Sequence, residues 1–231
     1  MSPADMKKHR EVEIKLKVDD VAKLVGALKA LPAKRSARVH ERDTLFDTED
    51  GFFRKRKAIL RLRTCTRGGA TLGRAIGRGV RNAKEGILTF KGLVRGAGAT
   101  GGRYKEREEI EFRIRNVAAF AEVLRRIGMM AWFRYEKYRT TYTSGRYPGL
   151  KFDLDETPIG VFLELEGPKR QINPAAEALG YSSADFITAS YLELYAAERR
   201  RSRSKARDML FRRKKNCKIV NSSLDKNCEC S

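Results

Sequence analysis

The sequence predicts an α+β protein: an eight-stranded antiparallel β-barrel, closed into a tunnel with a charged interior and helices packed outside. Three observations predict it. About eight segments alternate between apolar and polar residues, the period of a strand with two unlike faces. Their polar positions are mostly ionised and of both signs, whereas an ordinary solvated sheet face is richer in Thr, Ser and Gln. Amphipathic helical stretches lie between the strands and can cover the apolar faces, which leaves the ionised faces to line a bore.

The first strand is Glu11-Val-Glu-Ile-Lys-Leu-Lys-Val18, charged at every odd position and apolar at every even one. Asp19 and Asp20 can cap a helix carrying Val21, Leu24, Val25 and Leu28 on one stripe. A short strand follows near Arg42–Asp47, then Ala58–Arg63, with Arg61 and Arg63 on one face, and Ile87–Lys91. Arg103 to Arg115 places Lys105, Arg107, Glu109, Glu111 and Arg113 together. Asn116 caps the next helix (Val117, Phe120, Leu124, Ile127), which Gly128 stops. Phe133 to Thr143 aligns Lys137 with Arg139, Leu150–Asp155 aligns Lys151, Asp153 and Asp155, and Val161–Glu166 aligns Glu164 with Glu166. Asn173-Pro174 opens a short helix ending at Gly180, and Ser182/Ser183 precede a last one with Phe186, Ile187, Leu194 and Tyr195.

Composition narrows the classes. The 231 residues are 41% hydrophobic, enough for a core, and no run approaches the roughly 18 apolar residues of a spanning helix. The start of the chain has charge where a secretory signal has an apolar stretch, so a soluble, cytoplasmic protein is expected. The net charge is +21, of which residues 198–231 hold +8, so a polyanion is the default partner. Four cysteines without a CxxC pair and two histidines make neither a zinc set nor a disulfide framework. Gly-rich basic stretches at 67–86 and 92–102 read as surface loops. Two regions are therefore expected: a barrel domain over 1–197 and a basic, disordered tail over 198–231, a candidate contact for nucleic acid or polyphosphate.

Ions in a narrow bore need partners, because isolated burial costs several kcal/mol each. The basic set is Lys15, Arg61, Arg63, Lys91, Arg107, Lys137 and Arg139, with Lys17, Lys105 and Lys151 as further candidates. The acidic set is Glu11, Glu13, Glu109, Glu111, Asp153, Asp155, Glu164 and Glu166. Together they suit an anionic substrate carried with hard divalent cations: Arg and Lys hold phosphoryl oxygens, and carboxylates hold Mg²⁺ or Mn²⁺.

At these residues the chain resembles the CYTH family, the triphosphate tunnel metalloenzymes. Glu11-Val-Glu-Ile-Lys15 matches its ExExK signature, and Asp43-Thr-Leu-Phe-Asp-Thr48 resembles its aromatic-Phe-Asp-Thr segment. Leu60–Arg63, Thr89–Gly92, Arg107–Glu111, Lys137–Arg139, Leu154–Glu156 and Ile159–Gly167 follow in the family's order, so that the likeness covers roughly residues 9–197. The resemblance implies that Glu11, Glu13, Glu164 and Glu166 hold the metal. It implies that Lys15, Arg61, Arg63, Lys91, Arg107, Lys137 and Arg139 grip a triphosphate. Lys91, Glu109 and Glu111, with Asp153 or Asp155, would serve the reacting groups, in a monomer or homodimer.

The family divides by what attacks phosphorus. Water on the terminal phosphate makes a triphosphatase of tripolyphosphate, thiamine triphosphate or a nucleotide; the ribose 3′-hydroxyl on the α-phosphate makes a class IV adenylyl cyclase. Hydrolysis is the expectation, because cyclisation needs a closely held ribose. Leu45 stands where many relatives have Tyr, which weighs against the thiamine-triphosphatase reading. A reading of another class is a basic barrel that binds polyphosphate or RNA without turnover. Alanine at Glu164 or Arg63 is expected to cut turnover with little loss of fold.

Overall fold

The structure, a computed structural model, describes residues 6–67, 85–93 and 103–212. Nine strands are found there: Met6–Val18 (β1), Lys34–Arg35 (β2), Val39–Asp47 (β3), Ile59–Arg67 (β4), Gly86–Leu93 (β5), Lys105–Ile114 (β6), Met130–Thr143 (β7), Lys151–Thr157 (β8) and Gly160–Glu166 (β9). Eight form a ring in the order β7-β3-β4-β5-β6-β1-β9-β8, closed by β7 pairing with β8, and every neighbour in it is antiparallel. The expected eight-stranded antiparallel barrel is therefore present. The unexpected β2 pairs Lys34 and Arg35 with Thr143 and Tyr142, at the end of β7 that β3 does not reach.

The helices are Val21–Ala30 (α1), Phe52–Lys55 (α2), Val117–Arg126 (α3), Lys169–Ala178 (α4) and Tyr191–Ser202 (α5). α1 to α4 pack on the outward apolar face that the alternation predicts, whereas α5 packs on Leu45, Phe133 and Phe162, which share the inward parity of Asp43, Lys137 and Glu164. Leu24 and Leu28 of α1 and Ile172 of α4 pack with Ile14, Leu16, Phe152, Leu163 and Leu165. Val117 and Leu124 of α3 pack with Leu62 and Leu88, and Tyr191 and Tyr195 of α5 with Phe133 and Phe162. Each such aliphatic or aromatic side chain contributes about 1.5–3 kcal/mol by leaving water.

Asp20 and Asn116 cap α1 and α3, each accepting a hydrogen bond from a first-turn amide, as expected. Two expected helix starts are corrected. Pro174 lies inside α4, which begins at Lys169; burial of Ile172, Ala175 and Ala176 holds the turn that proline cannot bond. Ser182 caps only a single 3₁₀ turn, Ser183–Asp185, while the last helix starts from Ser190, paired with Glu193 in a capping box.

The boundary expected at residue 198 is also corrected. Helix α5 runs to Ser202, and the chain then turns back onto β7. Met209 is fully buried and pairs by backbone with β7: its N–H donates to Arg134 O (2.9 Å) and its carbonyl accepts from Glu136 N–H (3.0 Å). Tyr195 Oη donates to the carbonyls of Ala206 and Asp208, and Phe211 packs on Tyr138 at 5.2 Å between ring centroids. The periodicity that fails after residue 197 concealed a segment held by one anchor residue. Met209→Ala should destabilise the barrel by about 2–5 kcal/mol, measurable by urea unfolding. Most of the two Gly-rich stretches, and the chain after Arg212, lie outside the described residues.

Candidate functional site

The bore is built by parity. Each strand sends every second side chain inward: Glu11, Glu13 and Lys15 from β1, Arg61 and Arg63 from β4, Lys137, Arg139 and Thr141 from β7, Glu164 and Glu166 from β9. Register then sets which charges meet, because β1 and β9 align Glu13 with Glu166 and Lys15 with Glu164. These side chains surround a cavity of about 550 Å³. Among the described residues its wall holds eight carboxylates and eight cations.

Thirteen of the fifteen residues singled out from the sequence line this one cavity, namely Glu11, Glu13, Lys15, Arg61, Arg63, Lys91, Glu109, Glu111, Lys137, Arg139, Asp153, Glu164 and Glu166. Two do not. Arg107 lies outside the cavity wall, its guanidinium donating to the carbonyl of Lys57 at 2.5 Å. Asp155 points inward but lies beneath the wall, fully buried, accepting from Lys137 (2.7 Å), Arg139 (2.6 Å) and Tyr191 Oη (2.8 Å). The two aspartates therefore differ in placement: Asp153 faces the cavity and Asp155 carries cations that do. Of the further candidates, Lys105 and Lys151 line the bore, whereas Lys17 is exposed beside Asp19.

Several wall residues escaped the sequence reading. Glu41 of β3 lines the cavity and Asp43 lies buried behind it, and both hold Arg63, at 2.9 and 2.8 Å. The expected strand began one residue too late to show their shared parity, and Leu45, apolar on the same face, disguised it. Tyr135 shares the parity of Lys137 and Arg139, so the pattern could have found it. Tyr191 enters from α5, where no strand period applies; Lys15 and Lys137 lie 5.2 and 5.1 Å from its ring centroid.

Electrostatics follow from these contacts. Lys91 bridges Glu11 (2.6 Å) and Glu109 (3.1 Å), and Lys15 bridges Glu13 (3.1 Å) and Glu164 (3.2 Å). Burial pushes the Glu11 carboxyl up, only partly opposed by Lys91, and pushes Asp153 up against Arg139. Burial also acts on Glu13 and Glu164, but Lys105 and Lys15 hold Glu13, and Lys137 and Lys15 hold Glu164, well below the usual carboxylate range. Desolvation lifts the Tyr135 phenol to about 12. Arg61 Nε is buried without a hydrogen-bond partner among the described residues, and its nearest carboxylate, Asp43, lies at 3.9 Å.

Asp43 is held below its free value by Arg63 and Arg61 despite burial. A carboxyl depressed in the folded state contributes stability above its unfolded pKa and loses that contribution as pH falls through the folded one. Asp43→Asn should therefore flatten the stability–pH curve below about pH 4, read from urea midpoints across an acid series.

A tunnel of inward carboxylates and cations on eight antiparallel strands matches one known family. Its profile, described as the CYTH domain, matches residues 9–191. The chain belongs to the CYTH domain family. It is similar to the Methanocaldococcus jannaschii protein named "Putative adenylate cyclase MJ0240", 28% identical over 197 residues that span 80% of this chain and 97% of that one. Among solved structures, PH1819 of Pyrococcus horikoshii superposes with a TM-score of 0.61 at 26% identity, covering 82% of this chain and 99% of its own. HpAC1 of Hippeastrum, stated to have a dominant triphosphatase activity, shares the fold at a TM-score of 0.52 and 16% identity, covering 81% and 96%.

CYTH tunnels generally work with divalent metals, and the donor chemistry here fits one. Glu11, Glu13, Glu164 and Glu166 offer oxygen ligands from two adjacent strands, the kind that hard cations take. Among the described residues no three carboxylates or histidines converge into a ready-made cage. Lys15, Lys91, Lys105 and Lys151 occupy these carboxylates instead.

Proposed function

We propose that this CYTH protein is a divalent-metal-dependent phosphohydrolase that releases phosphate from a triphosphate, inorganic or organic. The observation that carries the reading is the balance of the bore. The chain is +21 overall, yet the cavity wall is even, eight against eight, with Asp43 and Asp155 buried behind it. A wall without surplus positive charge does not capture a polyanion by itself; it suits a polyanion that arrives with its own cations. The same balance speaks against a simple RNA- or polyphosphate-binding barrel, which needs a positive groove.

In this reading Lys15, Arg61, Arg63, Lys91, Lys137 and Arg139 bind the phosphoryl oxygens, and Arg61 Nε, which has no hydrogen-bond acceptor among the described residues, finds one there. Asp155 keeps Lys137 and Arg139 extended into the bore. Asp153, whose proton affinity is raised by burial, orients the attacking water and takes its proton. Glu109 and Glu111 steady Lys91 and Arg61. Mg²⁺ or Mn²⁺ on Glu11, Glu13, Glu164 and Glu166 would supply charge neutralisation of the leaving phosphates.

The relative named as an adenylate cyclase supports a second reading, in which the ribose 3′-hydroxyl attacks the α-phosphate and pyrophosphate leaves. The test is product identification. Purified protein is incubated with tripolyphosphate, ATP and thiamine triphosphate, each with Mg²⁺ or Mn²⁺. Orthophosphate supports the hydrolase, cyclic AMP with pyrophosphate replaces it by the cyclase, and no turnover with any of them overturns both.

A further inference from the structure

A second cavity, of about 250 Å³, lies outside the barrel between α2, β7, α5 and the returning C-terminal segment. Leu192 alone among the described residues is common to the walls of the two cavities. Among the described residues the wall of this second cavity combines Trp132, Phe133 and Tyr195 with three arginines, Arg54, Arg199 and Arg207, and no carboxylate. Arg54 is matched by the buried Asp47 (2.8 Å). Among the described residues the other two have no ion pair: Arg199 donates to Ser204 O (3.4 Å) and lies 6.0 Å from the Tyr195 ring centroid, and Arg207 donates to Trp132 O (2.8 Å) and Ala131 O (3.3 Å). Two guanidinium charges are thus left without an anion at one concavity.

Trp132 is placed there by a backbone irregularity. In the β3–β7 ladder Leu45 faces Phe133 and Phe46 faces Ala131, so Trp132 is an extra, bulged residue. A bulge re-aims its side chain, and Arg207 grips the two carbonyls that form it. Arg54 lies over the indole, 4.7 Å from the ring centroid. Indole and guanidinium planes stack on flat heterocycles, and free arginines bind phosphate.

We propose that this cavity binds a mononucleotide, its base stacked on the Trp132–Arg54 pair and its phosphate held by Arg199 and Arg207. The volume suits one base with its sugar phosphate rather than a longer chain, and the site is separate from the triphosphate tunnel.

Trp132 is the only tryptophan of the chain, so its fluorescence reports the site directly. Titration of the full chain with AMP should quench emission saturably, whereas adenosine or inorganic phosphate alone should do so at least tenfold more weakly. Filling the tunnel with tripolyphosphate should leave the AMP curve unchanged. Arg199→Met should weaken AMP binding at least tenfold while leaving the thermal melt unchanged; if that variant melts early, Arg207→Lys serves the same comparison. Four results would overturn the proposal: no saturable quenching, competition by tripolyphosphate, equal affinity in a folded arginine variant, or quenching by an oligoribonucleotide but not by AMP.

Discussion

Glu164→Gln should hydrolyse triphosphate at least about 10²-fold more slowly than the native protein, and should bind the same anion more tightly when divalent cations are chelated. Both effects come from one carboxylate. Glu164 contacts Lys15 at 3.2 Å, Lys137 at 4.0 Å and Arg139, and so quenches three of the cations that face the cavity. Removing its charge tips an even wall to net positive, which favours an unaccompanied polyanion. It also deletes a ligand of the proposed metal, which costs turnover. Calorimetry with tripolyphosphate in EDTA, beside a phosphate-release assay with Mg²⁺, reads the two separately. Tighter metal-free binding with unimpaired turnover would detach Glu164 from the metal; unchanged binding would remove the charge-balance argument. The sequence alone suggested that Glu164 and Arg63 could be lost with little cost to the fold. Their ion pairs argue otherwise, because removing one partner strands the rest, so the isosteric glutamine is preferred to alanine.

Asp155→Ala should lower stability by about 3–5 kcal/mol, because a buried charge network left short of an anion has no solvent to turn to. Asp155 is wholly inaccessible and serves Lys137, Arg139 and the Tyr191 hydroxyl together. For a domain of this size the melting temperature should fall by roughly 10 °C, which scanning calorimetry checks. An unchanged melt would mean that water enters beneath the wall and that Asp155 belongs to the cavity after all.

The period-two alternation made the barrel legible, and with it most of the wall. Parity is a property of neighbouring residues, so Glu11/Glu13/Lys15 and Lys137/Arg139 declare their common face without any knowledge of partners. What alternation does not encode is depth. Asp153 and Asp155 have the same parity, and only the packing of Tyr191 from α5 buries one and leaves the other facing the cavity. Nor does it encode the ends of strands, where Arg107 turns to a loop carbonyl and Glu41 joins the bore. The docking of residues 203–211 has no period at all; it rests on Met209 and on backbone bonds to the edge of β7 that β8 leaves free.

The ring order places β1 between β6 and β9, so Lys15 finds Glu164 only across most of the chain. During synthesis the first strand therefore has no ladder partner until β6 has emerged, and its other edge waits further for β9. A strand of that length with an unpaired edge is ordinarily prone to sticking to its neighbours. The Glu-x-Glu-x-Lys pattern that later faces the bore keeps the waiting segment charged on every second residue, so the ions of the tunnel also act as gatekeepers of the nascent chain.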